Sequence, residues 1–176
     1  MTILSGVNPM ITGIMADMVR YFDGDVRRIN HALKVHSFAQ MIASESNIED
    51  SKKILVSIAA ILHDIGIKEA ERKYNSSSGK HQEIEGPPIA RQILSLYQLD
   101  LDQIERICFL IGNHHTYQAI DDIDFQILVE ADFLVNIFED SMSLESVSNI
   151  RKKIFKTESG TRILTEMYLK GSLESE

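Results

Sequence analysis

The sequence predicts an all-α fold, a single compact bundle of roughly seven or eight helices around one core. Three observations carry that expectation. Apolar residues recur at three-to-four spacing along most of the chain. No run alternates as a half-buried strand would. A long uncharged run, ILVSIAAILHDIG from Ile54 to Gly66, is apolar on nearly every side. With 176 residues and no internal repeat, the chain can build one hydrophobic core without a disulfide or a structural metal.

Each element has its own local justification. From Pro9 to Tyr21, Ile11, Ile14, Met15, Met18 and Val19 share one helical face, and Asp23, Gly24 and Asp25 then break the helix and offer a cap for the next. The second helix runs to about Ser44 with Ile29, Leu33, Val35, Phe38, Met41 and Ile42, and Asn47 to Ser51 is a turn. The central run follows and ends in His63, Asp64 and Gly66. KEAERKY gives one or two helical turns, and NSSSGKHQEIEG reads as the longest loop, a candidate lid. Pro87 and Pro88 suit the first turn of a helix through IARQILSLYQ, where proline forfeits no helical hydrogen bond. LDLDQIERICFLIGNHH is the next helix, TYQAIDDID a connection, and DFQILVEADFLVNIFED a strongly apolar helix. Amphipathic helices over Leu144 to Phe155 and Thr161 to Lys170 complete the bundle. Their apolar positions Ile150, Ile154, Phe155, Ile163, Leu164 and Met167 either close the core or join two copies as a homodimer.

Charge and cysteine usage narrow the function. Lys and Arg number 18 against 26 acidic residues, a net charge of −8, which argues against an extended nucleic-acid surface but allows a small anion held by one cation. The single Cys108 lies inside ICFLI as a small core residue, so a reducing compartment is expected. MTILSGVNPMITGIMADMVR lacks a basic start and carries Asp17, so it makes a poor signal peptide. No stretch reaches the roughly 20 apolar residues of a membrane span, and the expected location is cytoplasmic.

Histidine and aspartate then stand where the core should be. An unpaired buried carboxylate costs several kcal/mol, so Asp64 needs a cation or strong donors. His31 shares a face with Val35, Phe38 and Ile42 and so points inward. From His31 to the end of its helix is ~20 Å of rise, and the next helix returns by nearly the same length, bringing His31 level with His63 if the two are antiparallel. Asp132, with Leu128 four residues before it and Val135 three after, also faces an apolar interior, whereas Glu130 falls on another face and reads as solvated. His36, five residues beyond His31, is its rival but lies off that face. A His-rich, Asp-containing set of this kind suits a divalent transition metal such as iron, manganese, cobalt or nickel, with zinc acceptable and magnesium less suited. Separate His–Asp hydrogen bonds are the plainer alternative. Asp121, Asp122 and Asp124 read as caps on a solvated turn.

The order His31, His63–Asp64, Asp132, with the local wording HALKVHSFAQMIA, ILHDIGI, EIEGPPIARQIL, GNHH and EADFLV, resembles the HD-domain superfamily of metal-dependent phosphohydrolases. The resemblance spans about Asp25 to Phe138 and implies one HD-type domain over residues 1–176, with a core at 25–138 and flanking helices at 1–24 and 143–176. It implies an all-α fold and one divalent ion on His31, His63, Asp64 and Asp132. His81, His114 and His115 fall in the order of the histidines that hold a second ion in two-metal members. The implied reaction is hydrolysis of a phosphoester of a nucleotide or another small phosphorylated metabolite, with Asp64 orienting the attacking water and His114 or His115 protonating the leaving oxygen. Arg28, Lys68, Arg72 and Arg91 are the first candidates for binding the substrate phosphate, ahead of Lys73 and Lys80. Gln82, Glu83 and Glu85 could enter by loop closure.

The chain departs from the pattern at two positions. Many members carry a lysine three residues after the HD aspartate; here Ile67 stands there and Lys68 follows, about 100° further around a helix. Arg27 occupies the place of the glutamate that serves a third metal in certain relatives, and no GYP motif is present. The superfamily also contains di-iron oxygenases such as myo-inositol oxygenase, and non-catalytic nucleotide-binding or signalling modules, and these two are the alternatives to hydrolysis.

Overall fold

The computed structural model describes residues 8–170; the first seven residues of the poor signal-peptide stretch, and residues 171–176, lie outside them. No strand occurs among the described residues, and the all-α expectation stands. Helix α1 spans Pro9–Phe22, α2 Val26–Glu45 and α3 Asp50–Leu62; α4 spans Ile67–Tyr74, α5 Gly79–Leu94 and α6 Leu101–Ile111; α7 spans Ile123–Glu139, α8 Leu144–Lys153 and α9 Glu158–Leu164. A π-helical turn, Thr165–Leu169, continues α9. Among the described residues no helix is long and apolar enough to cross a membrane.

Local chemistry sets the ends of the first elements. Asn8 caps α1 by accepting from Met10 N at 3.0 Å. Asp23 and Gly24 turn the chain with positive φ, 48° and 86°, and Asp25 caps α2 through Arg28 N at 3.2 Å. Helices α2 and α3 pack as an antiparallel pair, and α7 lies against both. Every residue from Val56 to Leu62 in α3 is buried, so this helix is enclosed on all sides, as its composition predicts. α1 covers one side of the pair, while α6 packs on α3 and α5 bridges α6 and α4.

Gly66, just after the histidine–aspartate turn, allows a close crossing. A Cβ there would stand 2.5 Å from both Gln82 O and Gly86 N. Any larger residue would push α5 off the turn that carries His63 and Asp64.

Three sequence expectations are corrected here. Residues 79–86 are helical rather than loop, and Pro87 and Pro88 sit inside α5, not at its start. The reason is burial: Gln82 and Glu85 are polar in sequence but covered, and Glu85 is bound by Lys73 Nζ at 2.7 Å and Tyr74 Oη at 2.8 Å. Glu130 is not solvated but fully buried. Its carboxylate accepts from Gln126 Nε2 at 2.7 Å, Lys156 N at 2.6 Å, Thr157 N at 2.9 Å and the Thr157 hydroxyl. The segment leading into α9 covers the face of α7 that periodicity assigns to solvent. Asp124 is likewise buried: Arg106 holds it through Nε at 2.8 Å and Nη2 at 2.5 Å while also gripping Asp121. Asp122 does cap α7, accepting from Ile123 N.

The terminal apolar residues are used within the chain. Phe155, Ile163 and Leu164 are buried in the common core, Ile150 and Ile154 pack against it, and Met167 is exposed.

Candidate metal centre

Four helix termini or interiors deliver side chains to one point. His31 lies in the second turn of α2, His63 and Asp64 in the turn after α3, His114 in the turn after α6, and Asp132 in the middle of α7. The C-termini of α3 and α6 solve the same problem in the same way. Their last carbonyls lack intrahelical partners, and a histidine three residues on supplies one: His63 Nδ1 meets Ala60 O at 2.8 Å, and His114 Nδ1 meets Ile111 O at 2.8 Å. A carbonyl accepts only, so both rings carry hydrogen on Nδ1 and present a lone pair at Nε2.

His31 is oriented by a carboxylate instead. Its Nδ1 lies 3.0 Å from Glu139 Oε2, and Lys34 pairs with the other Glu139 oxygen. Donation to a carboxylate from the far nitrogen fixes the tautomer and makes Nε2 a better ligand.

The ligand atoms converge tightly. His31 Nε2 is 3.1 Å from His63 Nε2, 3.2 Å from Asp132 Oδ1 and 3.6 Å from Asp64 Oδ2. His63 Nε2 is 3.5 Å from Asp64 Oδ2 and 3.6 Å from Asp132 Oδ1. Asp64 turns its other oxygen, Oδ1, toward His114 Nε2 at 3.4 Å. His114 Nε2 is buried and makes no hydrogen bond. Two overlapping groups of ligand atoms result, His31–His63–Asp64 and Asp64–His114–His115, each within 4.8 Å and both able to hold a metal ion. Asp64 belongs to both.

Electrostatics make the need for positive charge explicit. Burial opposes protonation of His31, yet the Asp132 carboxylate outweighs it, with help from Asp64 and Glu139, and pushes the pKa up to about 9. His63 is raised too, against its burial, by Asp64 and Asp132. Burial disfavours the charge on Asp64 and Asp132 as well, but the imidazoles beside them hold both carboxyls well below the usual carboxylate range. Without a metal, protons on the rings neutralise the cluster; a divalent ion would do so while using the Nε2 lone pairs those protons occupy. The donor set of imidazoles and carboxylates and the unbonded His114 Nε2 fit such an ion.

The remaining predicted residues divide sharply. His115 is beside the cluster: its ring lies 3.9 Å from that of His114, its Nε2 is 3.4 Å from Gln82 Oε1, and its backbone N donates to Glu83 Oε1 at 3.0 Å. Burial, reinforced by His114, lowers its pKa to about 4. His81 stands apart from both groups; it stacks on Tyr74 with ring centres 4.2 Å apart and meets Ser78 Oγ at 3.2 Å. Arg28 lines a cavity of about 300 Å³ at the mouth of the cluster, together with Arg27, His31, Asp64, Ile67 and Asn136. Lys68 donates instead to Tyr21 O at 3.0 Å, and Arg72 is engaged by Glu69 at 2.6 Å. Arg91 pairs with Glu105 at 2.5 Å beside a separate hollow lined by Pro87 and Gln92. None of these three reaches the mouth. His36 is buried off the site with an unbonded Nε2, and burial lowers its pKa to about 4.

Sequence reasoning missed Glu139, Lys34 and Asn136. Asn136 donates to Asp132 Oδ1 at 2.9 Å, and the spacing of 132, 136 and 139 on one helical face was the available signal.

A family model for the HD domain matches residues 28–156, which contain every one of these convergent side chains. The chain belongs to the HD-domain family. Among solved structures it is similar to a predicted HD superfamily hydrolase from an uncultured Thermotogales bacterium, with 22% identity and a TM-score of 0.62 over 94% of this chain and 86% of the other. A search of curated proteins gave no match. The overall helical fold is thus shared with that structure, while the chemistry must be argued from the side chains.

Proposed function

We propose that this HD-domain protein is a metal-dependent phosphohydrolase that cleaves a phosphoester of a nucleotide or other small phosphorylated metabolite. The observation that carries this reading is the meeting of three Nε2 lone pairs and two carboxylates, with ligand-atom separations of 3.1 to 3.6 Å, beside a mouth lined by Arg27 and Arg28 among several acids. His31, His63, Asp64 and Asp132 would hold the first ion, drawn from iron, manganese, cobalt, nickel or zinc, and His114 with His115 and Asp64 would hold a second. A divalent ion bound there supplies an electrophile for a phosphoryl oxygen and acidifies a water.

The chain's own groups do the positioning. Asp64 faces both halves of the site and orients the attacking water through whichever oxygen is not engaged. With only the first ion bound, His114 or His115 is left to protonate the leaving oxygen; a second ion would claim both rings as ligands. Arg28 meets the phosphate. Its guanidinium is parked between Glu71 at 2.5 Å and Asp25 at 3.0 Å, so substrate must draw it away from these acids. The same acids, with Glu139 and Asp140 at the mouth, disfavour a substrate carrying a long anionic chain.

The test is a screen of purified protein, loaded in turn with manganese, iron and cobalt, against nucleotides and generic phosphoesters. Turnover that disappears with EDTA and with Asp64→Ala is expected. Activity indifferent to both would defeat the assignment.

A further inference from the structure

On the C-terminal side of the fold, α8, α9 and the π-helical turn line an open hollow of about 630 Å³ that shares no lining residue with the mouth beside His31. Four cations line it, Arg151, Lys156, Arg162 and Lys170, against two acids, Glu158 and Glu166. In a chain of net charge −8 this is a local reversal of sign. Elsewhere most cations have an acid in contact, as Lys34, Lys52, Lys73 and Arg106 do. Here Arg162 alone is paired, with Glu45 and Glu166. Among the described residues Arg151, Lys156 and Lys170 make no ion pair, and Arg151 is aimed by a bond from its Nε to Thr165 Oγ1 at 3.0 Å, which leaves its Nη groups free.

The π-helical turn helps to build this arrangement. In an α-helix, positions five apart differ by about 140° around the axis. Bonding from i to i+5 over Thr165–Leu169 narrows that angle, and Lys170, Thr165 and Arg151 line the same hollow. Such turns are rare and recur at functional sites.

We propose that this hollow binds a phosphorylated small molecule of nucleotide size, at a site separate from the metal centre. Its volume lies in the range of small-ligand pockets. Three unpaired cations match the several oxygens of a phosphate chain, and their methylene stems can lie along the rest of the ligand. Lys156 and Thr157 also donate backbone N–H groups to Glu130 on α7, so a ligand gripping this segment stabilises its closure over the core.

The experiment uses the Asp64→Ala full chain washed with EDTA, so that the metal centre cannot capture phosphate, titrated with ATP by calorimetry at low ionic strength. One saturable site is expected, with a matching rise in Tm. The exposed pair Lys156→Ala/Lys170→Ala should weaken binding by about tenfold or more, and Arg28→Ala should leave it unchanged. Tripolyphosphate competing with ATP assigns the recognition to phosphate. Absence of saturation by either probe, binding that survives the double variant, or binding lost with Arg28→Ala overturns the proposal. None of these outcomes depends on whether the metal centre hydrolyses anything.

Discussion

Glu130 and Asp132 lie two residues apart on α7, both buried, and they are satisfied in opposite ways. Glu130 meets four hydrogen-bond donors and no cation. Asp132 receives one amide from Asn136 and otherwise faces imidazole nitrogens that can serve it only when protonated or when a metal stands between them. A buried carboxylate therefore marks a chemical site when its complement of donors is left incomplete, and mere burial does not. The first acid closes the fold; the second leaves a charge deficit that an ion can fill.

Four substitutions or conditions press on this contrast. The largest effect belongs to Asp64→Ala, which removes the oxygen pair shared by both groups of ligands: phosphoesterase turnover should fall by about a thousandfold or more, while Tm of the metal-free protein stays within a few degrees. A variant that unfolds, rather than merely losing turnover and bound metal, would place Asp64 with Glu130 as a structural acid. Next is Glu130→Ala. It strips four donors of their acceptor, so denaturant unfolding should show a loss of about 3 kcal/mol, with metal content per folded chain unchanged. Loss of metal without loss of stability would erase the distinction.

Glu139→Gln comes third. The amide can still accept from His31 Nδ1 but no longer carries charge, and metal affinity read by competition with a chelator should drop about tenfold. An unchanged affinity would show that Glu139 serves Lys34 alone. The smallest effect is on pH dependence. The His31 pKa is raised from 6.5 to about 9, so in the metal-free protein its stabilising contribution is complete below pH 6.5 and disappears as pH climbs through 9. Tm measured in EDTA should decline over that window, whereas metal affinity, which needs deprotonated rings, should rise over it. A flat Tm profile would mean that protons do not neutralise the empty cluster.

The helices and the inward placement of His31 and Asp132 were legible in the sequence because each depends on local spacing, whereas the four-residue ligand set came from the HD-domain resemblance. His31 beside Val35 and Phe38, and Asp132 between Leu128 and Val135, announce inward-facing polar groups, and the matched helix lengths bring His31 to His63. Glu130 was misread because the residues that cover it, Lys156 to Gly160, come almost thirty positions later and periodicity carries no information about them. The start of α5 was missed for a related reason: Gln82 and Glu85 look like loop residues until Ser77, Lys73 and Tyr74 are placed against them. Lys68, Arg72 and Arg91 were candidates on charge alone, and their partners Tyr21, Glu69 and Glu105 decide where they point.

Gly160 and the Thr157 hydroxyl fit over Glu130 so closely that a Cβ at position 160 would collide with the carboxylate. In folding, α7 can form before the segment around residues 156–160 has docked over Glu130. Until it docks, the chain must keep Glu130 hydrated or protonated, so the helices around α3 can gather early but cannot dry out until residues 156–160 arrive. Final consolidation of the interior is thereby tied to docking of the segment before α9, and a chain cut short of residue 156 leaves the Glu130 carboxylate without three of its four donors.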